Sequence, residues 1–275
     1  MRHVFLIGHP VSHSVSPAMQ NAALRASGLA WQYDLLETPR AQLPAVVERL
    51  RADDCAGANV TIPHKEAIIE FLDHVTPTAR QIGAVNTIVQ REGKLIGENT
   101  DGYGVIQTLR EAQVQLRDAR VVILGAGGAA RAAVFALAAE NVASIAIINR
   151  TAACAHALAE AVRQHFPRLA LCVNHIETLA DAHIVINATS VGMTPNVNAS
   201  PLPPNVTLPR DVVVFDMVYR PRETQLLREA RRAGARPLSG LGMLAHQGAA
   251  AFALWTGRAA PLALMFEMAR RAVEC

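Results

Sequence analysis

The chain has 275 residues, 51% hydrophobic and 18% charged, which is enough apolar material for two packed domains and too much for a disordered chain. Its formal charge of +3 is small and its basic residues are scattered, which argues against a nucleic-acid groove or a polybasic membrane patch and in favour of a small-molecule partner. The cysteines, Cys55, Cys154, Cys172 and Cys275, stand far apart without a C-x-x-C pair, and the histidines include no H-E-x-x-H; neither disulfides nor a bound metal is indicated, and a reducing, cytoplasmic setting fits.

In chain order, residues 4–7 read as a first strand, too short for a signal-peptide core and followed at once by Gly8 and Pro10. A helix after Ser16, a strand at 31–36, a helix from about Arg40 and a strand at 57–60 alternate in the manner of an α/β fold with a mostly parallel sheet. The heptapeptide Asn59-Val60-Thr61-Ile62-Pro63-His64-Lys65 reads as a strand end, a turn and the first turn of a helix. A lysine there is at the unfavourable end of the helix dipole, and taken alone it is either a solvated surface lysine or one held for a purpose.

Residues 83–89 and 94–96 read as two strands joined by a turn at Arg91-Glu92-Gly93, followed by Glu-Asn-Thr-Asp-Gly-Tyr-Gly at 98–104 and a helix over 105–112. A second series of strands then begins at 121–124 and continues at 144–148, 184–187 and 212–215, so a domain boundary is expected near Gly102, with domains at 1–102 and 103–238. Residues 200–209 hold four prolines and read as irregular loop; helices at 243–255 and 261–272 have no strand between them. No apolar run reaches the ~18 residues that a membrane-crossing helix needs.

The turn Gly125-Ala126-Gly127-Gly128-Ala129-Ala130 follows four apolar residues and opens an Ala-rich helix, which is the strand–turn–helix setting that G-x-G-x-x-A requires to cradle a pyrophosphate. The next strand ends in Asn149-Arg150-Thr151, where a dinucleotide fold reads the adenosine ribose. No acid stands there to accept from a free 2′-hydroxyl, whereas Arg150 suits a 2′-phosphate; NADP is favoured over NAD.

Together the motifs SHSVSP, NVTIPHK, GAVNT, NTDG, GAGGAAR, NRT, NATSVGM, FDMVY and GLGMLAHQ follow one another over nearly the whole chain, and in that order the sequence resembles the shikimate dehydrogenase family. The resemblance implies an N-terminal α/β domain for the substrate, completed by 239–275, a Rossmann domain for NADP, and an active site in the cleft between them. It further implies reversible reduction of 3-dehydroshikimate to shikimate on the route to chorismate and the aromatic amino acids. Lys65 and Asp101 become the acid–base pair, and Ser14, Ser16, Asn59, Thr61, Asn86, Tyr219 and Gln247 surround the substrate. Gly125, Ala126, Gly127, Gly128, Ala129, Arg131, Asn149, Arg150 and Thr151 hold the cofactor, with Met217, Gly240 and Met243 near the nicotinamide.

Each assignment has a plainer reading beside it. Ser16-Pro17 has the form of a helix N-cap and first helical residue, whereas Ser14 has no such structural excuse. Asp101-Gly102 is also a common turn dipeptide, and Asn86 is also of the type that satisfies local backbone. Two departures from the family pattern stand out: Cys154 occupies a place where NADP-preferring members carry Arg or Lys, for which Arg131 is a candidate replacement, and Ser239 replaces a common Asp. NAD use is therefore open. A quinate/shikimate dehydrogenase or an NAD-using paralogue is the chemical rival, and a cofactor-sensing module without catalysis is the rival of another class. A monomer or homodimer is expected.

Overall fold

The computed structural model describes residues 1–274, so Cys275 lies outside the described residues. The first half of the chain runs β1 (Arg2–Gly8), α1 (Ser16–Ala26), β2 (Trp31–Glu37), α2 (Leu43–Arg49), β3 (Cys55–Val60), β4 (His74–Val75), α3 (Pro77–Ile82), β5 (Thr87–Arg91), β6 (Lys94–Glu98) and α4 (Asp101–Glu111). There follow β7 (Arg120–Leu124), α5 (Gly128–Ala139), β8 (Ser144–Ile148), α6 (Ala152–His165), β9 (Ala170–Val173), β10 (Ile184–Asn187), β11 (Val213–Asp216), α7 (Gln225–Ala233), β12 (Arg236–Ser239), α8 (Leu241–Thr256) and α9 (Leu262–Glu274).

The chain forms two compact units, Met1–Gly104 with the chain from Leu244 onward, and Val105–Met243. The divisions fall inside α4 and α8, a few residues beyond the positions that the sequence suggests. Gly102 and Gly104 are helical and form no glycine-rich crossing, because Asn99 Oδ1 accepts the backbone N–H groups of Asp101 (3.0 Å) and Gly102 (3.4 Å) and starts α4 ahead of them.

In the first unit the strand order is β2-β1-β3-β5-β6-β4. β1 is parallel to β2 and β3, but β5 runs antiparallel to both β3 and β6. The sheet is therefore mixed. Glu92 (φ 52°) and Gly93 (φ 77°) make a two-residue hairpin whose handedness matches strand twist, and so short a connection permits only antiparallel pairing. Ile7, Leu50, Ala58, Ile68, Ile88 and Leu95 form the core on one side of this sheet. The short helix α3 is absent from the sequence reading although its signals are present: Thr76 caps Ala79 N–H, Pro77 follows, and Gly83 closes it in the left-handed region.

Helices α8 and α9 belong to this unit from Leu244 on, and α9 packs against α1. Trp255 on α8 donates its indole N–H to Ile88 O on β5 (2.9 Å). Gly57 on β3 (φ +146°) makes room for it: a Cβ there would lie 2.1 Å from Ile88 O and 2.8 Å from the Trp255 indole nitrogen. Gly57→Ala is expected to cost about 1–3 kcal/mol from overpacking, with backbone strain in addition, read as a lower urea midpoint at unchanged slope. An unchanged midpoint would show that this contact does not hold α8.

The second unit is a six-stranded sheet in the order β12-β11-β10-β7-β8-β9. Every neighbouring pair is parallel, and β7 stands at the centre where the winding reverses, the doubly wound arrangement of dinucleotide-binding folds. The unbroken apolar runs of β7, β8, β10 and β11 are buried on both faces, as parallel strands under two helix layers must be. β9 and β12, edge strands with exposed residues, carry no comparable signal in the sequence. Among the described residues no helix is long and apolar enough to cross a membrane.

Candidate active site

Thr61 leaves β3 with its N–H bonded to Ile7 O (2.8 Å), and the chain makes two turns before a five-residue 3₁₀ segment, Ala67–Phe71. The helix expected to open at Lys65 is this short segment, which begins two residues later. Lys65 O accepts Val85 N–H (2.7 Å), and the 3₁₀ bond of Ile69 N–H runs to Glu66 O (3.3 Å) instead. His64, 1% exposed, pins the same turn through its ring Nε2 to Thr38 O (2.6 Å). The macrodipole argument for Lys65 therefore lapses.

A carboxylate holds the lysine instead. Lys65 Nζ lies 2.5 Å from Asp101 Oδ2, with side chains 14% and 5% exposed. Asp101 is a first-turn residue of α4, where the helix dipole favours an anion, and not the turn residue that Asp-Gly suggests. Its other oxygen accepts from Asn86 Nδ2 at 2.8 Å. Asn86 also donates to Thr100 Oγ1 (2.9 Å) and lies 3.4 Å from Gln247 Oε1 on α8. Lys65, Asn86, Asp101 and Gln247, which span most of the chain, are thus gathered in one cluster of the first unit.

The two serines exchange the roles read from the sequence. Ser14 Oγ accepts Ser16 N–H (3.2 Å) and so starts α1, while Ser16 is the first helical residue and caps nothing with its side chain. Ser14 still has a hydroxyl hydrogen to give. The Asn59 amide is engaged at both ends: Oδ1 accepts from Tyr33 Oη (2.9 Å), and Nδ2 donates to Asn86 O and Thr87 Oγ1 (3.2 Å each). Asn59, expected from the sequence to contact the substrate, stands here as a buried support of the cluster, 6% exposed. Tyr33, His64, Thr87 and Thr100, all fixed around this cluster, are missed by the sequence reading; three of them stand inside the quoted motifs NVTIPHK, GAVNT and NTDG. His9 and His13 have H-x-x-x-H spacing, but they lie on the loop after β1, and His9 pairs with Glu37 (2.8 Å). Among the described residues no cluster of His, Cys, Asp or Glu suits a metal ion.

In the second unit, β7 leads through Gly125 and Ala126 into α5, whose N-cap Gly127 makes no side-chain cap. Gly125 has φ +118°, and a Cβ there would crowd Ala188 backbone atoms at 3.2 Å. Around Gly127 a Cβ would meet nothing within 4 Å. The turn therefore leaves open space beside the first-turn N–H groups of Gly128 and Ala129, which fits a pyrophosphate. Asn149, Arg150 and Thr151 follow β8; Asn149 Nδ2 donates to Thr151 O (3.0 Å), and the Arg150 and Thr151 side chains are exposed, as a 2′-phosphate clamp must be. Arg131 lies on α5 and Cys154 on α6.

Met217 and Tyr219 follow β11 on the loop that Asp216 organises. Asp216 Oδ1 accepts from Asn187 Nδ2 (2.9 Å) and Val218 N–H (3.0 Å), and Oδ2 from Thr224 Oγ1 (2.5 Å). Burial raises the Asp216 carboxyl above the ordinary carboxylate range against those three donors. Gly240 is needed because a Cβ would lie 2.2 Å from Met217 O; Met243 is buried on α8. Ser239 Oγ accepts Leu241 N–H (3.4 Å), so the hydroxyl can do at the start of α8 the capping that an aspartate does elsewhere.

Comparison with known proteins adds the following. Residues 6–88 match the profile described as shikimate dehydrogenase substrate binding domain, 108–225 that of shikimate / quinate 5-dehydrogenase, and 240–265 that of the shikimate 5'-dehydrogenase C-terminal domain. The chain is 46% identical over 275 residues to a shikimate dehydrogenase (NADP(+)) of Symbiobacterium thermophilum, covering 98% of this chain and 94% of that one. Among solved structures, shikimate 5-dehydrogenase of Thermus thermophilus in complex with NADP(H) and shikimate superposes with TM-score 0.90 at 42% identity, over 99% and 100% of the two chains. Quinate dehydrogenase of Corynebacterium glutamicum in complex with NAD superposes with TM-score 0.87 at 32% identity, over 97% and 98%.

Proposed function

The chain belongs to the shikimate dehydrogenase family, and from that premise we propose that it catalyses the reversible, NADP-dependent interconversion of 3-dehydroshikimate and shikimate on the route to the aromatic amino acids. The observation that carries the reading is the Lys65–Asp101 pair, largely withdrawn from solvent and tied through Asn86 to Gln247. A sensor of cofactor would need no such pair.

NADPH, when bound, supplies the hydride that reduces the C3 carbonyl. The turn at Gly125, Ala126, Gly127, Gly128 and Ala129 would hold its pyrophosphate, with Arg150, Thr151 and Asn149 at the adenosine end and Arg131 beside them. Lys65 gives a proton from its ammonium to the C3 oxygen as that oxygen becomes an alkoxide, and recovers it in the direction of shikimate oxidation. Asp101 keeps the ammonium oriented through the oxygen it offers at 2.5 Å. Gln247 and Asn86 address the ring hydroxyls, and Ser14, Ser16 and Thr61 offer hydroxyl donors to the carboxylate. Asn59 takes no direct part.

Initial rates of NADPH and NADH oxidation with 3-dehydroshikimate and 3-dehydroquinate test substrate and cofactor together. The pair 3-dehydroshikimate and NADPH is expected to show the highest kcat/KM, by about tenfold or more over each of the other combinations. A quinate-side specificity constant about ten times larger would overturn the substrate. We place the protein in the cytoplasm, as a monomer or homodimer without a nucleic-acid partner, on its small net charge and free cysteines.

A further inference from the structure

The buried polar groups behind Asp101 form a chain in which backbone groups determine the orientation of both amides. Thr100 N–H can only donate, and it lies 2.7 Å from Asn86 Oδ1. The Asn86 amide is therefore turned with Nδ2 toward Asp101 Oδ1. Asn59 is constrained likewise: Nδ2 faces the Asn86 carbonyl, which can only accept, so Oδ1 receives the Tyr33 hydroxyl hydrogen. The second Nδ2 hydrogen of Asn59 goes to Thr87 Oγ1. Thr87 then has one hydrogen to pass on, and its partner is Asn86 Oδ1 at 3.0 Å, with Thr100 Oγ1 next at 3.3 Å.

We infer that Thr87 is a positioning residue of the reaction: its hydroxyl closes the relay Tyr33–Asn59–Thr87–Asn86–Asp101 and so holds the carboxylate that orients Lys65. The inference rests on the function proposed above. Thr87 is 0% exposed and so presents no surface to a substrate. All the donors in the relay point toward Asp101, so each bond polarises the next. Without the hydroxyl, Asn59 loses an acceptor and Asn86 Oδ1 keeps donors only from Thr100, so the Asn86 amide is held from one side and its tilt about the Thr100 N–H bond relaxes. The Nδ2 donor to Asp101 Oδ1 shifts with it, and the carboxylate and the Lys65 ammonium move together.

The test compares Thr87→Val, which keeps the shape and removes the hydroxyl, with Thr87→Ser, which keeps the hydroxyl. With shikimate and NADP⁺, Thr87→Val is expected to lower kcat by about tenfold or more, while Thr87→Ser stays within about twofold of the parent, since small misplacements of reacting groups are costly. The solvent deuterium isotope effect on kcat should rise in the valine variant as proton transfer becomes slower. NADPH affinity, measured by fluorescence titration, should not change in either. A folded Thr87→Val with parental kcat and isotope effect overturns the inference, as does a serine variant as slow as the valine one. If Thr87→Val does not fold, Thr87→Ala against Thr87→Ser decides: equal kcat values overturn the relay, and a slow alanine variant supports it. Absence of shikimate turnover in the parent protein would instead sink the proposed function itself.

Discussion

Lys65→Ala is expected to lower kcat for shikimate oxidation by roughly 10²-fold or more, the usual scale for removal of a general acid or base, while shikimate and NADPH bind within a few-fold of the parent values. The split follows from the geometry. Lys65 donates to Asp101 and to no other group described around the cluster, whereas the remaining groups assigned to the substrate, among them Ser14, Ser16, Asn86 and Gln247, are positioned by their own hydrogen bonds or helices. Loss of the ammonium also leaves Asp101 without its counter-charge. The stability cost should fall below the ~3–5 kcal/mol of a fully orphaned buried charge, because Asn86 still donates to Oδ1 and the N-terminus of α4 still faces the carboxylate. Rates are therefore to be measured well below the variant's melting temperature. A turnover number equal to the parent's would remove Lys65 from the chemistry.

Arg150→Ala is expected to raise the KM for NADPH roughly 10- to 100-fold, the equivalent of a lost charge-assisted hydrogen bond of about 1.5–3 kcal/mol, with kcat nearly unchanged. The exposed Arg150 side chain follows a strand end that carries no acid, and Cys154, also exposed, adds no second cation. One arginine thus bears most of the discrimination. NADH, which lacks the 2′-phosphate, should lose little, so the ratio of the two KM values is the decisive readout. Equal losses for both cofactors would mean that Arg150 supports the loop and reads no phosphate. Conversely, Cys154→Arg should tighten NADPH, and a failure to do so would place the second contact elsewhere, with Arg131 the next residue to replace.

The sequence and the structure differ in ways that have definite causes. Strands buried on both faces, such as β7 and β10, declare themselves as short apolar runs, and the phosphate turn is legible because Gly125 does a job that few other residues can do at φ +118°. The edge strands β9 and β12 and the short helix α3 lack that imprint, since the strands have no fully buried residue and the helix is under two turns long. Ser14 and Ser16 could be nominated from the sequence, but which of them starts α1 depended on a backbone N–H reaching the residue two places before it.

What the sequence determined by itself was the inventory: two α/β units, a dinucleotide turn without a ribose acid, and a set of Ser, Thr, Asn, Gln, Lys and Asp side chains fit for a polyol acid and a proton transfer. Tertiary structure alone decided which of those groups are available. A carboxamide looks the same in a sequence whether its hydrogens face a ligand or a neighbour, and only the convergence of β2, β3, β5 and α4 commits Asn59 inward and sets Lys65 against Asp101. The physical reason is that hydrogen-bond capacity is local to a residue, whereas its use is fixed by partners that lie tens of residues away along the chain.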